Sequence, residues 1–221
     1  ITALDGPSGF YHAFAGTSDD VGKIAENLGK RWEVFNVLFK IYPVCQFNQT
    51  PVVATMRLID KYNIDLGNIE AISMKMNPYE AAYPGQAYKG PFENIGQTLM
   101  ATQFCVATAL VNKNVTIETL KQFNKPEILQ LISKTSMEGE DGRKPGCTRI
   151  AIAMKSGQTY IEDVSEMPNY CLTLEEDIGV VRKLTPEMPI SKDKVEKIID
   201  IVSHFESYSD INALIENSVI S

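Results

Sequence analysis

The chain has 221 residues, 44% hydrophobic and 22% charged, with a mean hydropathy of -0.12, a composition that excludes disorder, collagen and a coiled coil. A chain of this length buries roughly 70% of its unfolded surface and forms one large or two small domains without disulfide staples. Lys plus Arg number 21 against 28 Asp plus Glu, a net charge of -7, so there is no electrostatic footprint for nucleic acid or an anionic membrane, and an anionic ligand has to meet a local cluster of cations.

The opening Leu4-Asp5-Gly6-Pro7-Ser8-Gly9-Phe10 predicts a turn launching a short helix, with Ser8 as a possible N-cap, Phe10, Ala13 and Phe14 on one face, and Gly16 as its stop. Residues 31–40 are rich in aromatic and β-branched side chains and close on Tyr42-Pro43, which predicts a mostly buried strand. A helix follows to Asn63 on the spacing of Val52, Val53, Met56 and Ile59, capped by Thr50 or Asn48. Residues 69–76 alternate as a half-buried strand, with Ile72, Met74 and Met76 facing one way. Asn77 to Phe92 then reads as a long irregular loop with three prolines and three tyrosines, a kind of loop that is commonly functional.

Helices are expected at about 95–111, 116–123 and 126–135, the last opened by Pro126. A charged loop over 137–146 leads into a β-hairpin, 148–154 and 158–164, with Gly157 in its turn. Two packing helices end the chain, one with Val195, Ile198, Ile199, Val202 and Phe205 on one face, the other carrying Ile211, Leu214 and Ile215 after a Ser209-Asp210 cap. The order of elements predicts an α+β fold: a small mixed sheet of about four strands covered by helices. The sheet-bearing body is expected over 30–165, with 1–29 and 166–221 as flanking helical pieces.

Cys45, Cys105, Cys147 and Cys171 form no CxxC pair and read as reduced thiols. His12 and His204 are too far apart for a local metal site, so no metal is expected; His12 reads as a core or interface residue and His204 as a helix-end one. No run approaches a membrane span and no basic n-region precedes an apolar stretch, which makes the cytoplasm the expected location. The chain starts at Ile1 rather than methionine, which reads as processing, trimming or a partial chain. There is no P-loop and no GxGxxG, and Gly6-Pro7-Ser8-Gly9 is helix capping rather than a nucleophile elbow.

One segment gathers chemistry. Lys40 lies directly after the predicted strand, and Tyr42-Pro43, Cys45, Asn48, Gln49 and Thr50 follow. A cation and several donors near a helix start make a candidate carboxylate cradle. The alternative is that Lys40 extends to solvent along its own stem and Asn48 or Thr50 merely caps the helix.

Trp32-Glu33 followed by Phe39-Lys40-Ile41-Tyr42-Pro43-Val44-Cys45 resembles the phrase W-E…F-K-P-Y-P-x-C of the 2-methylcitrate dehydratase (MmgE/PrpD) family. Ala3 to Phe10 resembles its A-L-x-G-x-x-G-F, Gln103 to Leu110 its P-Y-x-V-A-x-A-L, and Leu172 to Leu214 its closing order of charged loop and helices. The resemblance implies the C-terminal portion of a cofactor-independent dehydratase-type lyase. Its chemistry would be proton removal alpha to a carboxylate, with loss of water, from a di- or tricarboxylic acid such as 2-methylcitrate in propionate catabolism. It implies Lys40 as the carboxylate binder, with Cys45, Asn48 and Gln49 shaping the pocket, and Tyr79 or Tyr83 as the catalytic tyrosine.

The resemblance also implies that the acid and base residues lie in an N-terminal helical domain or partner chain to which the flanking segments belong, and that the assembly is a homodimer. Family isomerases and decarboxylases, of the iminodisuccinate epimerase and cis-aconitate decarboxylase types, are alternatives, as is a catalytically silent binding or assembly module. Many members read C-R-x-x-H where this chain has Cys45-Gln46-Phe47-Asn48-Gln49. Amides at the arginine-like and histidine-like positions suit a substrate with fewer carboxylates, or a degenerate site.

Overall fold

The computed structural model describes residues 2–19, 21–168 and 172–220; Ile1 and Cys171 lie outside the described residues. The chain divides into two compact units, Ile1–Leu38 and Phe39–Ser221. The first carries the short helices α1 (Thr2–Asp5) and α2 (Phe10–Ala15) and 3-10 turns at Val21–Ala25 and Glu33–Asn36. Gly9, rather than Ser8, occupies the N-cap of α2, and Gly16 ends it as expected. His12 is exposed there.

Residues 31–40 are not the buried strand that their composition predicts. They form the Glu33–Asn36 turn, with Trp32, Val34 and Phe35 exposed. A strand needs partners for its backbone N–H and C=O groups, and the four strands of the sheet pair only among themselves.

The second unit is a mixed sheet with one helical layer. Its strands are β1 (Ile69–Met76), β2 (Thr135–Gly139), β3 (Thr148–Met154) and β4 (Thr159–Val164), in the order β2-β1-β3-β4. β1 runs parallel to β2 and antiparallel to β3, and β3 turns through Gly157 into antiparallel β4. The expected hairpin and the strand expected over 69–76 are present. β2 replaces part of the expected charged loop: Thr135 is buried and Met137 half-buried while Ser136 and Glu138 face solvent. That period-2 pattern is hidden in sequence by its polar composition.

Inward-facing Ile72, Met74, Ile150, Ile152 and Val164 pack under α3 (Gln46–Lys61), α6 (Thr102–Asn112) and α8 (Pro126–Ser133). Each such side chain contributes about 1.5–3 kcal/mol through burial. Thr102 to Leu110 are buried on every side of α6, as an apolar and small-residue helix at the centre of a layer must be. Between these elements lie α4 (Pro78–Ala81), α5 (Ile95–Met100) and α7 (Ile117–Leu120). The single helix expected over 95–111 breaks at Ala101, which is extended and serves as C-cap of α5 and N-cap of α6.

The opposite face of the sheet carries mostly small and polar side chains, with Ile161 as an exposed apolar exception: Ser136, Ser73, Ala151 and Ile161 share one row of the register, and Glu138, Lys75, Arg149 and Asp163 the next. After the sheet come α9 (Leu174–Leu184), α10 (Lys192–Ser203) and α11 (Asn212–Ser218). Arg182 and Glu196 join α9 to α10 through two bonds of 3.0 and 2.8 Å. On the expected apolar face of α10, Val195 is buried, Ile198 and Ile199 are half-buried, and Val202 and Phe205 are exposed.

Candidate functional site

Lys40 precedes a tight turn, Tyr42-Pro43-Val44, that Gln49 holds from below. The Gln49 amide donates to the carbonyls of Tyr42 (2.8 Å) and Val44 (3.3 Å) and accepts from the Tyr42 N–H (3.2 Å). Gln49 is fully buried, so its amide acts as scaffold for the turn. The helix starts earlier than sequence predicts, at Gln46 after an N-cap Cys45, which puts Asn48 and Thr50 inside its first turns rather than at the cap.

Asn48 faces the break between α5 and α6. Its Nδ2 donates to the carbonyls of Leu99 (3.0 Å) and Met100 (2.9 Å), groups that the end of α5 leaves without intrahelical partners. Its Oδ1 accepts from the Thr102 hydroxyl at 2.8 Å. The same hydroxyl lies 2.6 Å from Gln86 Oε1, and Gln86 Nε2 lies 3.4 Å from Cys45 Sγ. A hydroxyl has one proton. All groups are satisfied when the Gln86 amide sits the other way round, nitrogen donating to Thr102 and oxygen accepting the Cys45 thiol. Gln86, Thr102 and Asn48 are fully buried, and this network ties the Lys40 turn to the α5–α6 junction.

Tyr79 and Tyr83 lie on and just after α4, where each packs edge-on against Phe47 with ring centroids 6.1 and 5.1 Å away; the two tyrosines are 5.9 Å apart. Both phenol rings are exposed. Asn77 caps α4 and also donates to the Arg143 carbonyl at 2.7 Å. Glu80 Oε1 accepts from the Gly146 N–H at 2.8 Å, and the Thr50 hydroxyl donates to the Gly146 carbonyl at 2.8 Å. Gly146 has φ +71°, and at Gly139 a Cβ would come within 2.8 Å of Pro78 Cα, so both glycines are needed for the loop and β2 to close on α4.

Burial pushes the Glu80 carboxyl above its ordinary range, and the Gly146 N–H offsets only part of that shift. Ionising Glu80 therefore costs more in the fold than in the unfolded chain, and stability falls as pH rises from the ordinary carboxylate range through the raised native value. Glu80→Gln keeps an acceptor for Gly146 and is expected to flatten that slope and to gain stability at pH 8. Thermal unfolding at pH 4.5 and 8 checks this; parallel profiles for the two proteins would refute it.

The expected site residues fall into separate places. Lys40 lines a groove of about 520 Å³ with Tyr42, Leu99 and Met188, while Tyr83 lines another of about 770 Å³ with Pro84, Tyr88 and Met100. Among the described residues, Tyr79 and Tyr83 come together with Phe47, and Cys45, Asn48 and Gln49 form scaffold, but the groove that holds Lys40 is lined by neither Tyr79 nor Tyr83. Sequence reasoning missed Glu80, Gln86 and Thr102. Asn77-Pro78-Tyr79-Glu80 carries the Asn-x-x-Glu spacing of a capping box, and that signal could have flagged Glu80.

Burial raises the Cys105 and Cys147 thiols, leaving half-buried Cys45 as the accessible one of the three described. His204 sits at the end of α10 against Asp200, as expected. Among the described residues no group of three or more His, Cys, Asp or Glu is placed to hold a metal, and no helix is long and apolar enough to cross a membrane.

Residues 42–176 match the MmgE/PrpD C-terminal domain. The chain belongs to this family. The match takes in Cys45, Asn48, Gln49, Tyr79 and Tyr83 of the MmgE/PrpD domain and begins two residues after Lys40. Two curated relatives, both named cis-aconitate decarboxylase, come from Aspergillus terreus. One is 24% identical over 217 residues; the other, from strain NIH 2624 / FGSC A1156, is 22% identical over 221 residues. Each alignment covers 88% of this chain and 43% of the relative, so the chain spans less than half the length of the proteins it matches.

Proposed function

We propose that this MmgE/PrpD domain supplies the carboxylate-binding wall of a lyase that breaks a bond next to a substrate carboxylate. One observation carries the reading: Lys40 has no ion-pair partner among the described residues and lines a groove, on a segment anchored by Gln49. In dehydration a proton leaves the carbon alpha to the carboxylate and the neighbouring hydroxyl leaves as water. The charge that builds on the carboxylate meets Lys40 through a charge-assisted hydrogen bond worth about 1.5–3 kcal/mol. Tyr79 or Tyr83 would donate or accept a proton once brought to the substrate, and the remaining acid and base groups would come from the part of the protein beyond this chain.

The names of the two relatives favour a second reading, decarboxylation, in which the carbon–carbon bond to the carboxylate breaks, CO2 leaves and the carbanion takes a proton. Dehydration of 2-methylcitrate and decarboxylation of cis-aconitate by the intact protein separate the two. Lys40→Ala is expected to lower kcat/KM on the acid that is turned over by roughly 10- to 150-fold. Unchanged kcat/KM, or turnover of neither acid, would sink the reading.

A further inference from the structure

Tyr79 and Tyr83 differ in what surrounds their rings. Tyr79, in the first turn of α4, is 67% exposed and lines neither of the two grooves; Tyr83 is 37% exposed and lines the groove that Tyr88 and Met100 share. Neither phenol hydroxyl has a hydrogen-bond partner among the described residues, so the restraint on the Tyr83 hydroxyl comes through its ring. That ring meets Phe47 at 5.1 Å and 74° and Tyr79 at 5.9 Å and 64°. Edge-to-face pairs of this kind attract beyond the area they bury.

Phe47 is the firmer of the two neighbours. It lies in the first turn of α3, between the N-cap Cys45, whose N–H donates to the Leu99 carbonyl at 3.0 Å, and fully buried Asn48. The Tyr83 backbone is tied to the same place. Its carbonyl accepts from the Gln86 N–H at 3.1 Å, the Gln86 carbonyl accepts from the Thr102 N–H at 3.0 Å, and the Gln86 amide contacts Thr102 and Cys45. Gly85, at φ +90°, sets this turn so close to α5 that a Cβ would come within 3.2 Å of Met100 Cβ. The backbone and the ring of Tyr83 are therefore both referenced to the start of α3, which also holds the Lys40 turn through Gln49. An exposed phenol without such a stop samples several χ1 wells, and a proton-transfer group that is misplaced loses rate.

We infer that Phe47 is a positioning residue: its ring holds the Tyr83 phenol at its groove, and Tyr83 rather than Tyr79 is the tyrosine that exchanges a proton with the substrate. The inference rests on the reading of a tyrosine as proton donor or acceptor in the proposed lyase.

The test is kcat and KM of the intact protein on whichever of 2-methylcitrate and cis-aconitate it turns over. Tyr83→Phe is expected to lower kcat roughly 100-fold or more, and Tyr79→Phe far less. Phe47→Leu keeps an apolar side chain without a ring edge and is expected to lower kcat roughly 3- to 10-fold with KM little changed. Phe47→Tyr restores kcat, and Phe47→Leu costs nothing further once Tyr83→Phe is in place. A further loss in that double variant, or a larger loss at Tyr79 than at Tyr83, would overturn the inference and leave the lyase reading standing. Hα–Hβ couplings of Tyr83, read by NMR without any turnover, are expected to report one χ1 rotamer in the wild type and in Phe47→Tyr, and averaging in Phe47→Leu. Averaged couplings in the wild type, or no change in Phe47→Leu, overturn it as well. Turnover of neither acid removes the lyase reading and the proton transfer with it, while the couplings still decide whether Phe47 holds Tyr83.

Discussion

Asn48→Leu is expected to destabilise the fold by about 2–4 kcal/mol, although the replacement is close in volume and more apolar. The amide lost is fully buried and bridges the last carbonyls of α5 to the hydroxyl that opens α6. Leucine can satisfy none of them. The Leu99 carbonyl keeps its Cys45 N–H and the Thr102 hydroxyl can donate to Gln86 Oε1 if that amide turns back at the expense of its Cys45 contact, so the stranded group is the Met100 carbonyl, with only backbone adjustment to relieve it. The measurement is the denaturant midpoint with an unchanged m-value. A shift below about 0.5 kcal/mol would mean that the side chain is not structural and that the substrate-binding role expected for Asn48 should be revived.

The second large effect is expected at Gln49. Gln49→Leu should cost about 2–3 kcal/mol, because the Tyr42 N–H and the Tyr42 and Val44 carbonyls lose their side-chain partner together. Gln49→Glu is the sharper variant. It keeps an acceptor for the Tyr42 N–H but sets a carboxylate oxygen against two carbonyls, so the acid is favoured neutral and its native pKa is raised. Its stability should therefore be nearest to wild type at acid pH and decline as pH rises through the carboxylate range. Amide exchange at Tyr42, read by NMR, should accelerate in both variants. Protection at the wild-type level would show that the turn holds without Gln49.

These two residues show where sequence reading succeeds and where it stops. Asn48 and Gln49 are conspicuous as amides after a lysine and a proline turn, and that pattern marks the segment. Their direction was not legible, because it depends on α5 ending at Met100, some fifty residues away in sequence, and on an Ala101 break that composition does not mark. Period-2 alternation places β1 and the β3–β4 hairpin; the isoleucines and methionines of β1 and β3 face one way, while in β4 Ile161 is exposed and Glu162 buried. It failed for residues 31–40, where β-forming side chains have no strand to pair with, and for β2, where a polar edge strand looks like a loop. Tyr79 and Tyr83, which the family resemblance implies as candidates, lie in a stretch that reads as an irregular proline-rich loop, and that stretch carries α4. What could not be read was the clamp on it from Glu80, Asn77 and Thr50, since each partner lies in the 143–146 loop.

The central strand has a kinetic meaning. β1 pairs Ile72 with Thr135 on one side and Ile152 on the other, so helices α4 to α8 are threaded between strands that are neighbours in the sheet. Neither partner of β1 is available until that whole excursion has been synthesised and drawn back, and the loop-closure entropy falls due before any ladder bond returns it. A chain cut anywhere between Met76 and Thr135 would leave β1 as an unpaired apolar strand. Such a strand is a template for association. Nascent chains of this domain are thus at greatest risk of aggregation during the interval in which α6, its most buried helix, has emerged without the strands that cover it.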